Sequence, residues 1–183
     1  GKGNRNIAGL LLDHGASAAS MGDIHELGVI GWACCMGAGN PEMVHLLLER
    51  GAEHHIFSAV ATGVTSAIRA LVARDRAQLE RPMAVTHQRR RPLHLAVVKG
   101  RMDSLETLLE LGADGESLDA AGLTALDVAA FRGERAMMER LLSRGAEMRL
   151  PAAVAMGRVG EIGRLLRQDP ECLKPGKHWG TLI

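Results

Sequence analysis

Asp119-Ala-Ala-Gly-Leu-Thr-Ala-Leu-Asp-Val-Ala-Ala-Phe-Arg-Gly133 is the stretch from which the rest of this 183-residue chain is best read. Ala129 stands four residues before Gly133, and an aliphatic pair, Leu141-Leu142, follows eight residues after it. The same ruler fits Ala96, Gly100 and Leu108-Leu109, then Ala59, Gly63 and Leu71-Val72, then Ala153, Gly157 and Leu165-Leu166. Ala33 and Gly37 fit it with their pair, Leu47-Leu48, two residues late, which places a two-residue insertion near Gly39-Asn40. Gly3 followed by Leu11-Leu12 reads as the tail of one more unit. Self-similarity at a fixed period marks a repeat architecture.

Each unit reads as two short helices. The first runs from about four residues before the alanine up to the glycine. The second carries apolar residues at helical spacing, as Leu105, Leu108 and Leu109 do between Met102 and Leu111. Gly15, Gly51, Gly112 and Gly145 each follow a second helix and precede an alanine, the expected left-handed stop. Pro41 after Asn40 fits a first-turn proline behind an N-cap. A helix pair this short cannot hide its apolar face alone, so the units must stack.

The residues just quoted resemble the ankyrin repeat, whose signature is T-P-L-H-x-A followed by a glycine. Arg91-Pro-Leu-His-Leu-Ala96 is closer to it than the opening stretch, and the 33-residue step from Ala96 to Ala129 equals the family period. The endings Leu-Leu-Leu-Asp-His-Gly-Ala, Leu-Leu-Leu-Glu-Arg-Gly-Ala, Leu-Leu-Glu-Leu-Gly-Ala and Leu-Leu-Ser-Arg-Gly-Ala are similar to the family's second-helix tail. The resemblance implies an all-α solenoid of stacked antiparallel helix pairs, joined by β-hairpin finger loops. A single domain is expected over 1–183. It comprises a partial repeat at 1–15, repeats near 23–51, 52–75, 87–112, 120–145 and 146–169, and the start of another at 178–183. Gly180-Thr-Leu-Ile183 carries that last expectation.

Departures from the pattern carry expectations too. Among the units only Thr124 keeps the motif's threonine and only His94 its histidine, so most turns should be less rigid than consensus. Gly51 to Ala59 and Gly145 to Ala153 each span eight residues where Gly112 to Ala129 spans seventeen, leaving no room for a projecting finger. The stretches at these junctions, from Gly51 and from Gly145, resemble each other, as a duplication of about 94 residues (Ala59 to Ala153) would leave them. After Arg74 no Gly-Ala stop occurs, and a long connection leads to Arg91.

Composition bounds the function. Hydrophobic residues make up 46% and charged ones 23%, which is globular. Aromatics are only 2%, which suits thin layers of Ala and Leu better than one deep core. A net charge of +1 and no aromatic interleaving disfavour nucleic acid. The longest apolar runs, such as Leu93 to Val98, are far too short for a membrane span. Cys34, Cys35 and Cys172 are odd in number and form no C-x-x-C, so reduced thiols in an intracellular compartment are expected, with a secreted effector as the other reading.

Candidate chemistry is sparse. Cys34-Cys35 reads as two reduced helical cysteines, Cys34 packed and Cys35 facing the inner side. His54-His55, with His25 and His45 elsewhere, lack the three or four convergent ligands that a metal needs. No nucleophile elbow, P-loop or dinucleotide glycine pattern occurs. No enzyme, cofactor or metal is expected. Arg89-Arg90-Arg91, beside the tip Thr86-His87-Gln88, reads first as a solvated loop and second as a receptor for a carboxylate or phosphate.

The resemblance implies that a partner protein is held by finger tips and by the two positions before the glycine of each first helix. Carried onto this sequence, these positions are Cys35-Met36, Ala61-Thr62, Val98-Lys99, Phe131-Arg132 and Ala155-Met156, with His87, Arg89 and Arg90 at the tips. The strip is mainly small or apolar, with charge only at Lys99 and Arg132. Exposed Phe and Met in line suit an adaptable contact surface; a strip covered by neighbouring fingers is the competing reading. The function expected is a protein-interaction scaffold with no chemistry of its own. The regulatory or substrate-recruiting region of a larger enzyme, channel or effector comes second.

Overall fold

The computed structural model describes residues 2–20 and 27–170, and among them it contains helices and turns but no strand. Eleven helices follow in order: α1 (Lys2–Asp13), α2 (Gly28–Cys35), α3 (Pro41–Glu49), α4 (Ile56–Thr62), α5 (Thr65–Arg74), α6 (Pro92–Val98), α7 (Met102–Glu110), α8 (Ala125–Arg132), α9 (Arg135–Ser143), α10 (Leu150–Ala155) and α11 (Val159–Gln168). The helix starts and stops follow the local chemistry. Asn40 accepts a hydrogen bond from the Met43 amide at 3.1 Å, and Pro41 occupies the first turn of α3. Gly112 and Gly145 end α7 and α9 at φ 87° and 92°, which a side chain would oppose.

Two rows result. Helices α2, α4, α6, α8 and α10 pack on one another in sequence, and each pairs with the helix that follows it. Behind them α5 packs on α7, α7 on α9, and α1 on α3. The front row has six to eight residues per helix and α3, α5, α7, α9 and α11 nine or ten; the front row, which holds the first helix of each pair, is called the inner row below. Ala59, Ala96, Ala129 and Ala153 are fully buried, one each on α4, α6, α8 and α10, letting adjacent backbones approach closely. Ile68, Leu105 and Leu108 fill the layer between the rows. The expected start of a further repeat at 178–183 lies outside the described residues, as do His25 and Cys172.

The connections decide which loops project. Residues 50–55 and 144–149 are short junctions, and the front helices that follow them, α4 and α10, are among the shortest. The connector between α2 and α3 holds the two extra residues, with Gly39 at φ 75° against the Cys34 carbonyl. The long connection after α5 makes a 3-10 turn at Arg76–Glu80, which buries Leu79, and another at Val85–His87. The expected β-hairpin fingers are not strands. Two cross-loop bonds, Met83 amide to Arg90 carbonyl at 2.9 Å and Arg89 amide to Ala84 carbonyl at 3.3 Å, and a bond between fingers, Ala120 amide to Gln88 carbonyl at 2.6 Å, stand in place of a ladder. Val85–His87 spends one arm of the finger in the 3-10 turn, and Gln88 and Arg89 close it at positive φ, 60° and 47°.

At α4, α6 and α8 hydrogen bonds tie the start of the helix, while α2 and α10 begin without a side-chain cap. At α4, His55 Nδ1 accepts from the Ser58 amide and Ser58 Oγ lies 3.0 Å from the His55 amide, a reciprocal cap. At α8, Thr124 and Asp127 form the same box. At α6 the Arg91 amide donates to His94 Nδ1, and His94 Nε2 sits 3.0 Å from the Leu123 carbonyl of the next finger. Arg149 Nη1 bonds Asp127 Oδ2, joining the start of α10 to the buried start of α8.

His94 makes stability depend on pH. Burial lowers its pKa, against the opposing Leu123 carbonyl, and burial shifts half-buried His54 the same way. The folded state therefore holds these rings neutral, while the unfolded chain takes up protons as pH falls through about 6.5. The stabilisation is complete above that value and is lost below it, down to the depressed folded pKa, at no more than about 1.4 kcal/mol per pH unit per proton. Urea titrations at about pH 7.5 and 5.5 should show the lower midpoint at the acidic value, and His94→Gln should shrink the difference.

Candidate functional site

The front row carries the candidate residues, and the structure sorts them by cover. Phe131 is 37% exposed at the end of α8, with Arg132 exposed beside it. Val98, Lys99, Thr62 and Met156 are half-buried, and Ala155 is exposed. These residues lie on successive front helices, so they form one track across four repeats.

Two positions expected on the track are not on the surface. Cys35 is 8% exposed and Ala61 4%. The covers come from the next or next-but-one unit. Lys99 Nζ reaches the Gly37 carbonyl at 2.8 Å and crosses the end of α2. Arg101 Nε donates to the Ala61 carbonyl at 3.0 Å and closes the end of α4. The Cys34 and Cys35 sulfurs lie 3.8 Å apart, and Cys34 Sγ donates to the Ile30 carbonyl. The hydrogen bond with Cys34, then burial, raises the pKa of the Cys35 thiol, so it is an unreactive protonated group. Partial burial lowers the pKa of Lys99, and the two nearby sulfurs oppose that shift.

The finger before α6 reaches one end of the track. His87 Nε2 lies 3.1 Å from the Met36 sulfur, so the tip leans over α2 and half-covers Met36. Arg89 is exposed; Arg90 is half-buried with Nε 3.9 Å from Asp119 Oδ2, and Arg91 pairs with Glu80. The three arginines therefore do not form one cluster: two support the fingers and one faces solvent. A shallow cavity of about 140 Å³ lies between Arg89, Arg91, Leu118 and Asp119.

Sequence reasoning passed over two apolar groups on this side. Trp32, one helical turn before Met36, is 44% exposed, and Val154 of α10 is 49% exposed. A test for large apolar residues one turn before each pair, where i and i+4 share a face, would have found Trp32. Val154 gave no such signal, because Val97 and Ala130 at the same register are buried by the next helix in the row.

Among the described residues no group of three or more His, Cys, Asp or Glu converges as a metal site would, and no helix is long and apolar enough to cross a membrane. His54 and His55 are engaged with Ser58. A cavity of about 340 Å³ between Leu118, Met148, Leu150 and Leu165 is lined by no Ser, Cys or His.

Comparison with known proteins agrees with this geometry. The family model for ankyrin repeats (3 copies) matches residues 32–119 and 56–152. Probable E3 ubiquitin-protein ligase XBOS31 from Oryza sativa subsp. japonica is 36% identical over 96 residues, 52% of this chain and 21% of that protein. Protein PhlB from Serratia liquefaciens is 35% identical over 96 residues, 52% of this chain and 40% of that protein. The chain thus matches less than half the length of either relative.

Proposed function

The chain belongs to the ankyrin-repeat family, and from that premise we propose that it is a non-catalytic scaffold which holds a partner protein along its inner row. Ankyrin repeats are protein-interaction modules, and the specific face is the part proposed. The observation that carries it is the continuous track from Val98 through Phe131 to Met156, with an aromatic ring exposed near its middle. A large ring held at the centre of a contact is where binding energy concentrates. His87 over Met36 bounds the track, so the partner is held from α6 towards α10, with the finger at Arg89 as a rim contact.

Phe131→Ala tests this on the partner recovered by affinity capture from the native cell. Calorimetric titration should show a loss of about 2 kcal/mol, roughly thirtyfold in Kd. Unchanged affinity would remove Phe131 as the anchor.

A second reading rests on one observation. The matched segment is 21% of a protein named as a probable E3 ubiquitin-protein ligase and 40% of PhlB. Under it, the repeats recruit a substrate or regulator for activity located outside the stack. A full-length gene product that contains a further folded domain would favour this reading.

A further inference from the structure

We infer that the segment held on the inner row is an acidic amphipathic one, apolar on one side and carrying Asp or Glu beside it. This rests on the proposed use of the inner row and adds the chemistry of its occupant. The observation behind it is a segregation of charge that the net value of +1 hides. Among the described residues, α2, α4, α6, α8 and α10 contain a single carboxylate, Asp127, which is fully buried and bonded to Thr124 and Arg149. The helices behind them hold the acids, among them Glu42 and Glu49 on α3 and Asp103, Glu106 and Glu110 on α7.

The charges left on the inner row are therefore cations. Lys99 lies half-buried across it with Nζ on the Gly37 carbonyl, and Arg132 is exposed next to Phe131 with no ion-pair partner among the described residues. Arg89 adds an exposed guanidinium at the finger tip. The finger carboxylates nearby are already used: Asp119 is buried near Arg90, and Glu80 receives the Asp114 amide and the Ser117 hydroxyl. Glu134, just past Gly133, is the acidic group next to the track, and it is half-buried at the start of α9.

Apolar contact with Val98, Phe131 and Met156 beside Arg132 and Lys99, neither in an ion pair among the described residues, fits an apolar stripe edged with carboxylates. A basic partner would bring like charges together at Lys99 and Arg132, while single-stranded nucleic acid would need a row of stacking rings. The row offers exposed rings only at Trp32 and Phe131, far apart on α2 and α8.

The test uses the whole chain and a displayed library of randomised helical peptides of about 18 residues, long enough to cover several repeats. Recovered peptides should be enriched in Asp and Glu beside an apolar stripe, and Phe131→Ala should abolish their capture. In fluorescence anisotropy a recovered peptide should bind at least about tenfold tighter than its Glu→Lys counterpart, and Arg132→Glu should reverse that order. Peptides that need Phe131 but are neutral or basic would overturn the acidic assignment and leave the inner-row reading standing. Peptides indifferent to Phe131→Ala would overturn both. A single-stranded oligonucleotide that displaces the peptides and is lost on Arg132→Glu would assign the face to nucleic acid and overturn this inference.

Discussion

Asp127→Ala should destabilise the chain by about 3 kcal/mol, the typical cost of removing one partner of a buried ion pair. Asp127 is fully buried and its Oδ2 serves three donors: the Thr124 amide, the Thr124 hydroxyl and Arg149 Nη1. The truncation leaves the N-cap amide of α8 unpaired and takes the carboxylate from the Arg149 guanidinium, whose side chain is only 18% exposed and keeps its contact with the Gly122 carbonyl. Both losses fall on the junction between α9 and α10, where the connector, residues 144–149, is short. Asp127→Asn retains an acceptor oxygen and loses the charge, so it should cost visibly less. Equal losses in the two variants, measured by urea titration with unchanged slope, would mean that size at this position matters and the ion pair does not.

Leu108→Ala is expected to cost a similar amount, about 3 kcal/mol, for a different reason. Leu108 has no exposed surface and lies on α7, which contacts α5, α6 and α9. Removing its side chain leaves a cavity at the centre of the stack that helices on both sides must share. In a linear array stability is a sum over units and their interfaces, so the damage should spread unevenly. Hydrogen exchange should rise most in α5, α7 and α9, with α3 and α11 least altered. Uniform acceleration along the chain would instead describe one cooperative core.

The repeat and its helix pairs were legible in the sequence because their determinants are local. The Ala-to-Gly ruler, the Asn40-Pro41 start and the Gly112 and Gly145 stops each act within one unit, and each appears in the structure as a buried contact, a cap or a left-handed turn. The errors arose where a residue's surroundings come from another unit. Cys35 and Ala61 fit the exposed register, yet Lys99 and Arg101, dozens of residues later, cover them. His55 and Ser58 have no place in the consensus motif, yet they rebuild its cap from different atoms. The fingers were expected as hairpins because the resemblance implies them; in the finger before α6 the 3-10 turn at Val85–His87 occupies one arm. The track itself was partly readable, since Phe131, Arg132 and Val98 sit where register placed them. Its boundary at Met36 was not, because His87 reaches it from fifty-one residues away.

Site-specific photocross-linking tests the central claim most directly. A photoreactive phenylalanine analogue placed at Phe131, on the inner row, and in a second variant at Glu139, on α9 behind it, would be irradiated in the native cell. The account predicts a discrete partner adduct from position 131 and none from position 139. An adduct from position 139 with none from 131 would put the partner on the other side of the stack and contradict it.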